Sequence, residues 1–165
     1  MKYILGADPS FVESGVAVLS TEGVVMAYCT IKTSSKQPES VRLKKIYDAL
    51  FAIAGDYSIS EMAIETPFVS ISSVSIRLDT SIKLGMVRGI FALFAGQNQI
   101  EMFSYAPATV KASMAKGNSS KEAVAFSVKM LTGIDTKNNN ISDAIAVGLC
   151  HLLHRKWVEI GNKKM

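Results

Sequence analysis

The sequence predicts an α/β fold, a five-stranded mixed sheet with its first three strands antiparallel, flanked by helices in a single domain spanning residues 1–165. Three observations carry this. Three short apolar runs precede residue 32 with only turns between them, as a meander requires. From Ser40 the apolar residues recur at three- and four-residue steps, a helical period. Two further strand-like runs, near 62–64 and 100–105, then alternate with helical pattern, the arrangement that covers a sheet with helices.

The first strand is expected over residues 2–7, where Tyr3, Leu5 and Ala7 alternate with Ile4 and Gly6; Asp8 ends the run directly before Pro9. Strands over 15–20 and 23–31 follow, joined by turns at Pro9–Ser14 and at Thr21, Glu22 and Gly23. After the polar loop KTSSKQPE, Val41, Leu43, Ile46, Leu50 and Ile53 define a helix from Ser40, its expected cap, to about Asp56. Met62, Ala63 and Ile64 form a buried strand ending in Glu65, and VSISSVSIR fits strand or loop. A helix is expected from about Leu78 to Gln97, and its small residues Gly85, Gly89 and Ala92 permit close approach of another helix. A fifth strand over 100–105 leads to Pro107, which suits the first turn of a helix carrying Val110, Lys111 and Met114. Lys116, Gly117 and Asn118 make a turn, Ser119 caps a helix to about Leu131 with Glu122 completing a capping box, and a last helix runs from about Asn140 to Val158.

Hydrophobic residues at 48% and charged residues at 19% give a globular rather than a disordered composition. The net charge of +4 is compatible with a polyanionic partner without requiring one. Cys29 and Cys150 match no metal or disulfide spacing and read as small buried hydrophobes of an intracellular protein. No uncharged stretch reaches membrane-spanning length, so a soluble, cytoplasmic protein with no membrane partner is expected.

Asp8 and Glu65 share one kind of position, a carboxylate closing a buried strand at a proline turn. If those strands are parallel neighbours, both carboxylates emerge at the same end of the sheet. Asp143 lies one turn into the last helix, with Asn140 on nearly the same helical face. Converging carboxylates repel, and hard divalent cations such as magnesium neutralise them; a pair of such ions suits in-line displacement at a phosphodiester. Taken singly, each residue also has a plain structural use: Asp8 as a turn residue, Glu65 as a strand-end charge, Asp143 as a first-turn residue favoured by the helix dipole.

ILGADPS followed by SGVAVL, then AIETPF, IKLGMVRG, YAPATVK and SDAIAVGLCH resemble, in this order, the RuvC family of Holliday-junction resolvases within the ribonuclease H-like superfamily. The resemblance runs from about Lys2 to His154. It implies a homodimer that binds four-way junctions and related branched DNA and makes paired metal-dependent nicks by activated water, with two Mg2+ per active site and Mn2+ as a substitute. By position it implies that Asp8, Glu65, Asn140 and Asp143 are the metal ligands, Asp8 bridging both ions. Lys111 and Lys121 would lie near the scissile phosphate, and Phe68 would stack on bases at the crossover. Arg77, Lys83 and Lys116, together with Arg88, would add phosphate contacts. The helix around IKLGMVRGIFALFAG resembles the dimer-forming helix, with Ile82, Met86, Ile90 and Leu93 beside Gly85 and Gly89.

Two positions depart from the family pattern. Asn140 stands where an acidic ligand is usual, which implies weaker metal binding, or junction binding with little cleavage; its plain structural use is as a helix N-cap, and the two uses are compatible. Ser10 stands where glycine is common. His151 and His154 read as packing or surface residues rather than ligands. A sugar-kinase or actin-like ATPase also opens on a hairpin with an aspartate, but such proteins need a second copy of that hairpin, and none occurs here.

Overall fold

The computed structural model describes residues 1–66, 74–115 and 120–162, with side chains described except at 74–78 and 157–162. The elements are β1 (Tyr3–Asp8), β2 (Glu13–Ser20), β3 (Val25–Lys32), α1 (Glu39–Ala54), β4 (Ile59–Glu65), α2 (Val74–Gln97), β5 (Glu101–Tyr105), α3 (Pro107–Met114), α4 (Lys121–Thr132) and α5 (Asn139–Asn162). They form one five-stranded sheet in the order β3-β2-β1-β4-β5, with β1, β2 and β3 antiparallel and β1, β4 and β5 parallel.

Strand alternation sorts side chains to two faces, and two cores result. Ile4, Ala17, Leu19 and Ala63 face α5, α3 and α4, packing on Ile145, Val147, Val110 and Val128. Leu5, Ala7, Val16, Val18, Met62 and Ile64 face the other way, onto Ile46 and Leu50 of α1 and Val87, Phe91 and Phe94 of α2. The chain is a three-layer α/β/α sandwich, as the alternation of elements predicts.

Three glycines let α5 lie unusually close to the sheet. A methyl at Gly6 would collide with the Ala144 carbonyl and one at Gly15 with the Asn140 carbonyl, while one at Gly148 would fall 2.6 Å from Leu19 Cδ1. The contacts lie along the N-terminal half of α5, where Asp143 sits.

Several local expectations shift. Ser40 is not the cap of α1, because the N-cap position is Pro38 with no side-chain cap bond and Ser40 falls inside the first turn. The cap of α4 is Ser120 instead of Ser119, its hydroxyl accepting from the Ala123 amide at 3.3 Å; Ser119 lies outside the described residues. At the start of α5 the capping side chain is Asn138, whose Oδ1 accepts from the amides of Asn140 and Ile141 at 2.9 and 3.4 Å. Asn140 is therefore inside the helix rather than its cap. The open VSISSVSIR segment is helical from Val74 onward, its earlier part lying outside the described residues. Cys150 is buried as expected, but Cys29 is only half-buried, because β3 is an edge strand with one thinly covered face.

Candidate active site

The β1–β4 register pairs Ala7 with Ile64, so Asp8 and Glu65 close adjacent parallel strands at the same end. By alternation both carboxylates lie on the α5 face, with Ile4 and Ala63. Asp143 is in the first turns of α5, on the same side of the sheet. The three line one cleft of about 180 Å3 with Lys111 of α3 and Lys121 of α4, backed by Val110 and Val124. Five predicted residues are thus brought together from five different elements.

The electrostatics of this cleft are those of crowded anions. Burial, then repulsion from Glu65 and Asp143, pushes the Asp8 carboxyl up to about 7, against the opposing charge of Lys121. Burial and Asp143 raise Glu65 against Lys121 and Lys111, and burial raises Asp143 against the same two lysines. Lys121 Nζ stands 3.7 Å from Asp143 Oδ2 with 61% of its side chain exposed, so this ion pair relieves little of the repulsion. Ionised carboxylates in such a place need further cations. The three are spread around the cleft: among the described residues, no three His, Cys, Asp or Glu side chains gather closely enough to enclose one ion. Magnesium, which keeps several waters and takes one or two carboxylates plus phosphate oxygens, suits an open oxygen-donor set of this kind.

The hairpin loop after Asp8 is closed by serines. Ser10 donates its amide to Ser14 Oγ at 2.9 Å and its carbonyl accepts from the same hydroxyl at 2.7 Å, while Ser10 Oγ accepts from the Val12 amide at 3.3 Å. Ser10 has an ordinary negative φ, so the turn does not demand a glycine at that position.

Other predicted residues fall elsewhere. Asn140 does not line the cleft; it is half-buried, and its backbone rests over Gly15. Lys83 pairs with Asp79 at 2.6 Å on the surface of α2, a contact cheap to exchange for a phosphate. Arg88 is not a free phosphate contact. It donates from Nη1 to the Glu65 carbonyl at 2.9 Å and from Nη2 to Ser104 Oγ at 3.2 Å, tying α2 to the ends of β4 and β5. Phe68 and Lys116 lie outside the described residues, as does the side chain of Arg77.

His151 packs in the interior, as the sequence reading has it, but its partners were not foreseen: it bonds Glu61 and Tyr105 beneath the site. His154 Nδ1 donates to the Cys150 carbonyl at 2.9 Å. The mid-strand glycines that seat α5 do carry a signal in the sequence, because a glycine inside a strand pattern marks close backbone approach.

Residues 4–151 match the family described as Crossover junction endodeoxyribonuclease RuvC. The protein of that name from Chlamydia caviae is 34% identical over 157 residues, covering 90% of this chain and 90% of its own. That of Caldicellulosiruptor saccharolyticus is 33% identical over 157 residues, 91% of this chain and 92% of its own. Among solved structures, T. thermophilus RuvC in complex with a Holliday junction substrate superposes with a TM-score of 0.82 at 22% identity, covering 94% of this chain and 96% of that one. The fold is accordingly ribonuclease H-like.

Proposed function

The chain belongs to the RuvC family of crossover junction endodeoxyribonucleases, and on that premise we propose that its cleft cuts four-way and related branched DNA in recombination and repair, by paired metal-dependent hydrolysis in a cytoplasmic homodimer. The observation that carries the assignment of the site is the convergence of Asp8, Glu65 and Asp143 with two lysines in one cleft. Asp8, Glu65 and Asp143 are the residues that would hold two Mg2+, or Mn2+ in its place; Asn140, one turn before Asp143 and outside the cleft lining, would join them only by turning its amide toward the cleft. Metal bound there supplies charge neutralisation and an activated water for in-line attack on the phosphodiester.

The chain's own groups do the positioning. Asp8 feels the charge of both Glu65 on the neighbouring strand and Asp143 on the helix above, so it would hold metal together with them. Lys111 and Lys121 bring positive charge to the rim for a backbone phosphate, which attracts any sequence equally and falls off with salt. Val110 and Val124 give the cleft a dry wall that keeps these charges effective. A labelled mobile four-way junction tests the reading. Wild-type protein should nick both opposing strands in Mg2+ and none with chelator, and binding without cleavage in Mg2+ would overturn the nuclease. ATP turnover by the pure protein would revive the kinase-like reading.

Asn140→Asp adds a fourth carboxylate one turn before Asp143 on α5. Cation affinity rises with ligand charge, so the Mg2+ concentration giving half-maximal cleavage should fall about tenfold. An unchanged Mg2+ dependence would remove Asn140 from the ligand set.

The homodimer is supported by the outer surface of α2. Ile82 and Leu93 are 55% and 51% exposed, Gly85 and Gly89 lie exposed between them, and a Cβ at either glycine would meet nothing within 4 Å. Within one subunit these glycines only weaken the helix, by about 1 kcal/mol each relative to alanine. A second α2 approaching across a two-fold axis gives them a use. Gly89→Arg should leave a folded monomer by sedimentation and abolish paired nicking; a dimer that survives it would place the interface elsewhere.

A further inference from the structure

We propose that His151 is a positioning residue for the metal-binding carboxylates: it clamps α5 to Glu61 at the far end of β4 and to Tyr105 of β5, and so sets how Asp143 faces Glu65. This rests on the carboxylate site proposed above. His151 is 1% exposed and hydrogen-bonded on both ring nitrogens. Tyr105 donates its hydroxyl to Nδ1 at 2.7 Å, and Nε2–H donates to Glu61 Oε2 at 2.7 Å, the tautomer that satisfies both partners. Arg155 Nη1, one turn on, holds the other Glu61 oxygen at 2.7 Å. The Phe103 ring lies against the imidazole with centroids 4.6 Å apart. A single chain of polar groups thus joins α5, β4 and β5.

The spacing links this clamp to the cleft. From Glu61 to Glu65 is four strand residues, about 13 Å. From Asp143 to His151 is eight helix residues, about 12 Å. Helix and strand run in opposite directions, with Glu61 opposite His151 at one end and Glu65 sharing a cleft with Asp143 at the other. Because the two lengths match, fixing Glu61 on His151 fixes the axial register of Asp143 against Glu65. The third member reaches the site directly: Tyr105 pairs with Glu65 in the sheet, and its carbonyl accepts from the Thr66 amide at 2.7 Å. Contacts of Gly6 with Ala144 and Gly148 hold the helix onto the sheet between the two ends but not along its axis, because they carry no directional bond.

The test is Mn2+ binding to the DNA-free full-length protein, followed by isothermal titration calorimetry. His151→Phe removes both bonds while keeping an aromatic ring; Tyr105→Phe removes one and guards against loss of folding in the first. Leu50→Ala, in the core on the opposite face of the sheet, is the control for general destabilisation. At a temperature where all are folded, both clamp variants should weaken Mn2+ binding roughly 5-fold, less than the 10–100-fold typical of a group bonded directly to a ligand. Leu50→Ala should bind as wild type. Unchanged affinity in both clamp variants, or equal weakening in Leu50→Ala, overturns the clamp while leaving the carboxylate site intact. Failure of wild-type protein to bind Mn2+ overturns that site and the clamp with it.

Discussion

Asp8→Asn should lower single-turnover nicking of a four-way junction by about 10^3-fold or more while junction binding persists. With Asp8 holding metal as proposed, losing its carboxylate would remove several kcal/mol of charge stabilisation from the transition state, and each 1.36 kcal/mol is tenfold in rate. Binding survives because it draws on positive charge spread along the surface, Lys111 and Lys121 included, none of which Asp8 supplies. The same substitution should stabilise the protein when no metal is present. Asp8 has a folded-state pKa raised to about 7, so the folded chain holds its proton more tightly than the unfolded chain does. Its ionised form is then a liability, absent below about pH 4, growing as the pH rises toward 7 and fully present above it. Asparagine carries no such burden. Discounted for solvent screening at a partly open cleft, the gain is about 2 kcal/mol at pH 8. For a chain of this length that is about 4–8 °C in Tm, fading toward zero near pH 4. Mg2+ should reverse the ranking, raising the Tm of wild type and not of the variant. A variant that cuts at half the wild-type rate would remove Asp8 from the ligands.

Gly15→Ala is expected to be among the most damaging single methyl additions in the chain. Gly15 pairs with Asp8 across the β1–β2 ladder, and the added methyl would occupy the space of the Asn140 carbonyl, a backbone group that cannot rotate aside. Overpacking costs about 1–3 kcal/mol where side chains can yield, and the upper end or more applies where the obstacle is helix backbone. The first turn of α5 must lift, carrying Asp143 away from Asp8, so metal affinity and stability should fall together. Gly85→Ala supplies the contrast. It makes the same chemical change on an exposed helix face with open space around it, and should stabilise an isolated subunit by about 1 kcal/mol. Thermal melts of the two variants check the pair; equal effects would mean that the seating of α5 does not depend on the missing Cβ.

The sequence exposes some of this architecture plainly and hides the rest for identifiable reasons. Asp8 and Glu65 announce themselves because strand alternation is local and both runs end in a charge at a proline turn. Whether their strands are neighbours depends on where the chain goes after α1, which no local pattern records; the parallel β1–β4 register settles it. Asp143 is legible by motif alone, since its approach to Asp8 depends on three glycines acting across the sheet. Capping errors at Ser40, Ser119 and Asn140 have one origin: serines and asparagines occur in runs, and which of them bonds the first free amides is decided by the path of the incoming loop. Arg88 has a structural role that no local pattern reveals. A basic residue on an expected DNA-facing protein suggests phosphate, but its partners are a carbonyl and a hydroxyl that only the folded sheet brings within reach.

That last side chain bears on the cleft as well as on the helix. Arg88 adjoins Gly89 on the outward-facing stripe of α2 and ends on the backbone carbonyl of Glu65. It is a strut one side chain long between α2 and the backbone from which the Glu65 carboxylate springs, so the seating of that helix and the footing of that carboxylate are set together.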